Sequence, residues 1–454
     1  MLAIRPRTRF SASWAGRRPM LRYPRGTVTR SRHPWPRLLP RERVDHVLVV
    51  VSDIEMGAGG PTDDYPDTAF LELILSEYQL PPFDEIAVTF VFNGDTFDFL
   101  KTPCEGDVAY PTHITAALSL AKLERIAAAH PSFFQTVRRL LTASTASRSV
   151  VFTAGNHDQE LFFEAVQDRI RELIGADVVF AGITWRSGDV LVEHGSQFDP
   201  TFAIDPDRPF VDHRGEVYLN LPWGTLALLE VVMPYLYLLY PLDRLRPHRD
   251  ALAAVPEAQE LLLSGFRRYW TRDYWARFFQ QPDPLRRVSW AMLAQVGYRF
   301  GTGDPDPHSR GDQEVLSRNP DVQTICLGHL HQPALESIDD RRILRTGCFR
   351  NEYRADFVHG RHRLLPKVYA EIFMSEEKTV RNRLVEVDGP APSSTGIPED
   401  FGSLSLELRR ELELVRASAE REAPSAHEQG FTEPSVEPRP SFIRTLWHAL
   451  GDDR

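Results

Sequence analysis

Cysteine is scarce in this chain: Cys104, Cys326 and Cys348 are the whole supply. They form no C-x-x-C pair and no even set, which excludes a disulfide framework and a zinc ribbon and fits a reducing compartment. Lysine is nearly missing as well, with four of the 53 basic residues Lys and the rest Arg, a bias read as coding rather than mechanism. A clean membrane-length apolar run is also lacking. "LPWGTLALLEVVMPYLYLLYPLDRL" comes nearest, but Glu230, Pro222, Pro234 and Pro241 interrupt it, and a spanning helix needs about 18 or more apolar residues. It reads as a core helical insertion, with a cap or membrane-facing surface as the alternative. The N-terminus lacks the apolar core of a secretory signal. Its Arg-rich, acid-poor makeup reads as a disordered basic arm, with a transit peptide as the alternative.

Acid is what the chain has in excess. Residues 1–44 carry twelve Arg against Glu42, and residues 388–454 carry thirteen acids against seven Arg. With a total of −10, +11 at one end and −6 at the other leave the middle at −15. So acidic a body argues against nucleic acid as a partner unless the basic arm binds it. A carboxylate-lined metal site would contribute to the excess.

From Val44 onward, short apolar runs alternate with amphipathic stretches. "HVLVVVSD", "EIAVTFVFNGD", "SVVFTAGNHD", "DVLVEHG", "VQTICLGHLH", "RRILRTG" and "KVYAEIFM" read as strands. "DTAFLELILSEY", "HITAALSLAKLERIAAAH", "SFFQTVRRLLTAS" and "QELFFEAVQDRIRELIG" read as helices, the last stopped by Gly175. This alternation predicts a layered α/β domain over 44–387, with a helical insertion over 205–315, an arm over 1–43 and an acidic tail over 388–454. In the tail, "LSLELRRELELVRASAERE" is a charged helical patch. "SFIRTLWHAL" places Phe442, Ile443, Leu446, Trp447 and Leu450 on one helical face, suited to docking or to a membrane surface.

Five strands end in oxygen- and imidazole-rich motifs: "SDIE" (Asp53, Glu55), "NGDTFD" (Asp95, Asp98), "AGNHD" (Asn156, His157, Asp158), "EHG" (His194) and "GHLH" (His329, His331). The carboxyl ends of strands in an open α/β sheet face one crevice, and flanking glycines let the backbone approach closely. In this order the motifs resemble those of the calcineurin-like metallophosphoesterase superfamily: D-x-H, G-D-x-x-D, G-N-H-[DE], H-G and G-H-x-H. The bacterial branch that includes UDP-2,3-diacylglucosamine hydrolase is the nearest flavour. The resemblance implies a four-layer α/β/β/α sandwich and two divalent metals bridged by Asp95. Asp53, Glu55, Asp95 and His331 would hold one, and Asp95, Asn156, His194 and His329 the other. His157, oriented by Asp158, would contact the phosphate and protonate the leaving oxygen, and Asp98 would fix a ligand's orientation. Among the arginines, Arg350 is a candidate clamp on the phosphate. The chemistry is coherent, because paired cations lower the pKa of a bridging water and neutralise the phosphate. Ligands of oxygen and nitrogen without thiolate suit Mn²⁺ first, with Mg²⁺, Fe or Zn²⁺ as the other candidates.

Glu55 departs from the pattern, standing where the family has a histidine. Glu Oε and His Nε2 lie the same number of bonds from Cβ, so ligation is within reach. The added negative charge predicts a preference for harder ions and a less acidic bridging water. The reading is therefore a cytoplasmic, metal-dependent phosphoester hydrolase, with peripheral membrane contact through 217–242 or 441–450. Its substrate would be a small-molecule, lipid-linked or nucleotide-linked phosphoester or pyrophosphate. A nuclease using the basic arm, or a non-catalytic scaffold with a degenerate site, are the alternatives.

Overall fold

In the computed structural model the described residues are 28–31, 43–65, 68–105, 109–143, 146–274, 283–286, 289–302, 311–357, 361–389, 397 and 401–422. The chain divides into two units, Met1–Leu408 and Arg409–Arg454. The second is helical over its described residues, 409–422, at the end of the helix Gly402–Glu422. Most of the basic arm and the 441–450 segment lie outside the described residues. Val28–Ser31, within the stretch read as an arm, is instead a strand.

Two sheets build the first unit. The larger runs β1 (Val28–Ser31), β17 (Lys378–Val387), β16 (Lys367–Ser375), β2 (His46–Val51), β3 (Ala87–Asn93), β4 (Arg148–Thr153) and β5 (Val179–Phe180). The smaller runs β12 (Ala334–Ile338), β13 (Arg341–Arg345), β11 (Thr324–Leu327), β7 (Val190–Glu193) and β6 (Thr184–Ser187). The pairs β2–β3, β3–β4, β7–β11 and β11–β13 are parallel, so their carboxyl ends emerge together within each sheet.

Side-chain alternation shows the layers. Val47, Val49 and Val51 of β2 pack on one side with helices Thr68–Glu77, Ala116–Ala129, Pro131–Ala143 and Glu164–Ile174. Leu48 and Val50 point the other way, into a second core with Val190, Val192, Cys326 and Leu344 of the smaller sheet. Leu191, Ile325 and Ile343 turn to the far face, where Val315 and Leu316 of helix Asp312–Arg318 cover them. Strands buried on both faces must be apolar throughout, hence the uninterrupted valine runs. The order helix, sheet, sheet, helix is the four-layer α/β/β/α sandwich. Helix Asp312–Arg318, placed at the edge of the insertion from sequence, belongs to this body.

The insertion opens with a hairpin, β8 (Phe210–His213) and β9 (Glu216–Leu219). Trp223–Asp243 follows as one helical run, whose most apolar 18-residue window has mean hydropathy 1.5 and is 61% buried. It is irregular, a π turn at Leu228–Val232 giving way to a 3₁₀ turn containing Pro234, as expected where proline removes an N–H donor. Glu230, in its middle, accepts from Arg286 at 2.9 Å. Burial and this pairing make the run a core helix of the insertion. A short strand, β10 (Leu245–Arg246), then pairs with β14 (Tyr353–Asp356), which in turn pairs with β15 (Arg361–Leu364).

Candidate metal centre

The exits of β2, β3, β11 and β13 are tied to one another largely through the backbone. Past β2, the Asp53 N–H donates to the Gly94 carbonyl (3.3 Å) and the Glu55 N–H to that of Asp95 (2.8 Å). Past β13, the Phe349 and Arg350 N–H groups donate to the Asp53 carbonyl (2.9 and 3.0 Å). The His329 N–H, past β11, reaches the Asp53 carboxylate at 3.2 Å. Asp53, Glu55, Asp95, His329 and His331 all have left-handed backbone, with φ between 50° and 68°. Such residues cost about 1–3 kcal/mol each and concentrate at functional sites. Close approach explains the glycines: a Cβ on Gly94 would lie 2.5 Å from the His194 ring, and one on Gly155 would collide with the Asp95 carboxylate.

The side chains gather in two halves. In one, His194 Nε2 lies 3.2 Å from Asp95 Oδ2, 3.3 Å from Asn156 Oδ1 and 4.0 Å from Asp53 Oδ1. Donor atoms of Asp95, His194 and His329 come within 4.8 Å of one another. In the other, His331 Nε2 lies 3.2 Å from Asp53 Oδ1 and 3.6 Å from Glu55 Oε1. Burial would raise the Asp95 carboxyl, but the His194 and His157 imidazoles outweigh it and hold it below the usual range. Conversely, burial would lower His194, and Asp95 and Asp53 push it up to about 9.

This arrangement fits divalent metal. Carboxylates, imidazoles and an amide oxygen converge from both sheets, the mixed O/N set that suits first-row divalent ions. Two ligand rings are anchored through the other nitrogen, as metal-binding histidines usually are. His194 Nδ1 donates to the Asn93 carbonyl (3.0 Å), and His331 Nδ1 meets Glu352 Oε1 (2.5 Å). Behind His329, Asp199 Oδ2 lies 3.7 Å from Nε2.

No protein-family model matches the sequence, and a search of curated proteins finds no match. Among solved structures, the chain is similar to an archaeal phosphodiesterase (9% identity, TM-score 0.27), covering 75% of this chain and 99% of that one. It is also similar to a dimetal phosphatase from Danio rerio (11%, TM-score 0.27; 76% and 99% covered). A third is the phosphopantetheinyl hydrolase from Mycobacterium tuberculosis (14%, TM-score 0.24; 67% and 90% covered). Likeness at this level carries no argument about activity, which rests on the site itself.

Three sequence-derived roles change. Asp158 does not orient His157: its carboxylate accepts the Gly155 N–H (2.6 Å) and the Thr96 N–H (2.8 Å), bracing two ligand loops. Asp98 takes that role, its Oδ1 meeting His157 Nδ1 at 3.0 Å. Arg350 is no free phosphate clamp, because it is buried and bound to Glu55 Oε2 (2.7 Å) and Asp243 Oδ2 (2.6 Å). Glu55 is thus no simple replacement for histidine, since the same oxygen also takes Lys101 Nζ at 3.0 Å. Lys101, Asp64, Asp243, Arg246, Glu352 and Asp199 all touch this centre and were missed. Lys101 alone carried a signal, as one of few lysines in an arginine-rich chain.

Proposed function

We propose that this protein is a two-metal phosphoester hydrolase whose insertion receives an apolar part of the substrate. The convergence of Asp53, Asp95, Asn156, His194, His329 and His331 from five strand ends carries the first half. Bound divalent cations would supply Lewis acidity toward water and phosphate oxygens. The chain's own residues do the rest. Asp98 fixes His157 through Nδ1 and leaves Nε2 to meet a leaving-group oxygen, the place of a general acid. Asp158 keeps the Asp95 and Asn156 loops in register, and Asp199 and Glu352 hold His329 and His331 from behind.

A cavity of about 360 Å³ in the insertion supports the second half; Phe202, Trp223, Leu239, Leu262, Phe266 and Val296 contribute to its wall. Its polar rim includes Asp243 and Arg299. Asp243 pairs with Arg350, and Arg299 with Asp199 beside His329 (2.5 Å). The Phe202 ring lies 6.2 Å from that of His329. An apolar chamber beside a phosphate-directed centre suits a lipid-linked or acylated phosphoester, the substrate type of the UDP-2,3-diacylglucosamine hydrolase branch, better than a nucleic acid. Exposed Tyr237, Leu263 and Trp290 on the insertion would favour contact with a membrane holding such a lipid. The three buried free cysteines suit a cytoplasmic setting.

The test is turnover by the manganese-reconstituted full chain of p-nitrophenyl phosphate, bis(p-nitrophenyl) phosphate and acylated phosphoesters of rising chain length. Metal-dependent turnover, lost in a folded Asp95→Asn variant and with KM falling as the chain lengthens, is expected. Two bound ions with no turnover of any phosphoester would overturn the proposal.

A further inference from the structure

The two halves of the centre differ in what already neutralises them. Asp53 and Asp95 face imidazoles, at 3.2 Å for His331 and 3.2 Å for His194. An imidazole can give up its proton and become a ligand, whereas Lys offers only donors and Arg stays charged. Glu55 faces Lys and Arg. Its Oε2 takes Arg350 at 2.7 Å and Lys101 at 3.0 Å, and both cations are at most 7% exposed. Lys101 also pairs with Asp243 (2.9 Å), Asp98 (3.6 Å) and Asp64. Arg350 adds Asp64 and Glu352, each at 3.5 Å. Arg244 reaches Asp64 at 2.8 Å, and Arg246 reaches Glu352. Five carboxylates (Glu55, Asp64, Asp98, Asp243, Glu352) thus meet four Lys and Arg side chains (Lys101, Arg244, Arg246, Arg350), and Glu352 and Asp98 also face His331 and His157.

We infer that the two metal positions are unequal by construction. The position of Asp95, Asn156, His194 and His329 holds its ion tightly. The position of Glu55 and His331 binds weakly, because Lys101 and Arg350 already supply positive charge there. Glu55 Oε1, 3.6 Å from His331 Nε2, remains open to an ion, but on a carboxylate whose charge is spent. A divalent cation entering on this side must approach the Lys101 ammonium and the Arg350 guanidinium, both buried on the same Glu55 oxygen. The histidine that the related motif carries at position 55 would have no charge to attract them.

This inference rests on the two-metal reading, and its test separates the two. Apo full-length protein is dialysed against graded Mn²⁺, with bound manganese per chain measured by elemental analysis. One ion should survive desalting, and the second should appear only at about a hundredfold higher free Mn²⁺ or more, given how strongly buried charges interact. Lys101→Met should tighten the second ion by about tenfold or more and leave the first unchanged. In case that variant folds poorly, Arg350→Met serves instead: it removes the other cation on Glu55 and should tighten the second ion in the same direction. Two ions of equal affinity in the wild type, or a second ion no tighter in whichever of these variants folds, would overturn the inference while keeping the two-metal reading. No bound ion in the wild type would overturn both.

Discussion

His157 and the lysines show how much individual residues decide here. The His157 ring is partly buried against three carboxylates. Burial alone would lower it, but Glu55, Asp95 and Asp98 push it up to about 10. A raised value keeps the donor form populated through neutrality and loses it as pH rises through the alkaline range. Replacing His157 by Asn should therefore lower kcat by about 10²–10⁴-fold and remove the alkaline fall of the pH–rate profile. An unchanged alkaline limb in that variant would assign the acid elsewhere. Asp98→Asn, which reaches the leaving group through the ring and does not touch it, should cost less, about 10–100-fold. Three of the four lysines, Lys101, Lys122 and Lys367, are buried. Lys122 Nζ donates to the Phe99 carbonyl (2.9 Å) and Lys367 Nζ to Asn351 Oδ1 (2.9 Å). A compact ammonium fits where a guanidinium plane does not. Lys101→Arg should accordingly lower stability by about 1–3 kcal/mol through overpacking despite conserving charge, as denaturant titration would show.

At the scale of elements, the loop after β2 depends on one carboxylate. Asp63 accepts from the Gly57, Gly59 and Tyr65 N–H groups (3.2, 2.8 and 3.1 Å) and meets His130 Nε2 at 2.7 Å. Its burial favours the neutral acid, but the His130 hydrogen bond and charge outweigh that and lower the pKa. A carboxyl depressed on folding stabilises above its unfolded value and loses that contribution as pH falls through the folded one. Asp63→Ala, which orphans several buried donors, should cost about 2–4 kcal/mol at pH 7. Asp63→Asn should flatten the acid limb of stability below about pH 4; an acid limb like the wild type's would show that this loop does not govern it. What the sequence made legible follows from the same physics. β2, β3, β4 and β16 are apolar on both faces and stand out as runs. β17 ("KTVRNRLVEV") and β6 ("TWRS") have partly exposed faces and carry charge in place of a pattern, so they were invisible. Ligands at strand exits could be read because parallel strands bring those exits together. Asp64, Asp243, Arg246 and Glu352 could not, because they arrive from a loop, the insertion and the stretch after β13, where pairing is long-range and leaves no spacing to find.

Taken as a whole, the molecule uses its centre as a join between sheets. Asp53, Asp95 and Asn156 come from the larger sheet and His194, His329 and His331 from the smaller, so bound metal would connect two layers otherwise held by the apolar core between them. The insertion is tied to the same place by Asp243 on Lys101 and Arg350, Arg244 on Asp64 and Arg246 on Glu352. A ligand that binds only the folded state adds about 2.7 kcal/mol at a hundred times its Kd. For a unit of this size each kcal/mol is worth about 1–2 °C of Tm. Chelation by EDTA should therefore lower Tm by about 3–5 °C, and Mn²⁺ in excess should restore it. Asp95→Asn should remove the difference between chelated and reconstituted samples. Glu352→Gln, which loosens His331 on the weakly binding side, should leave most of it intact. A wild-type Tm that stays put while elemental analysis shows the metal gone would mean that the core alone holds the sheets together.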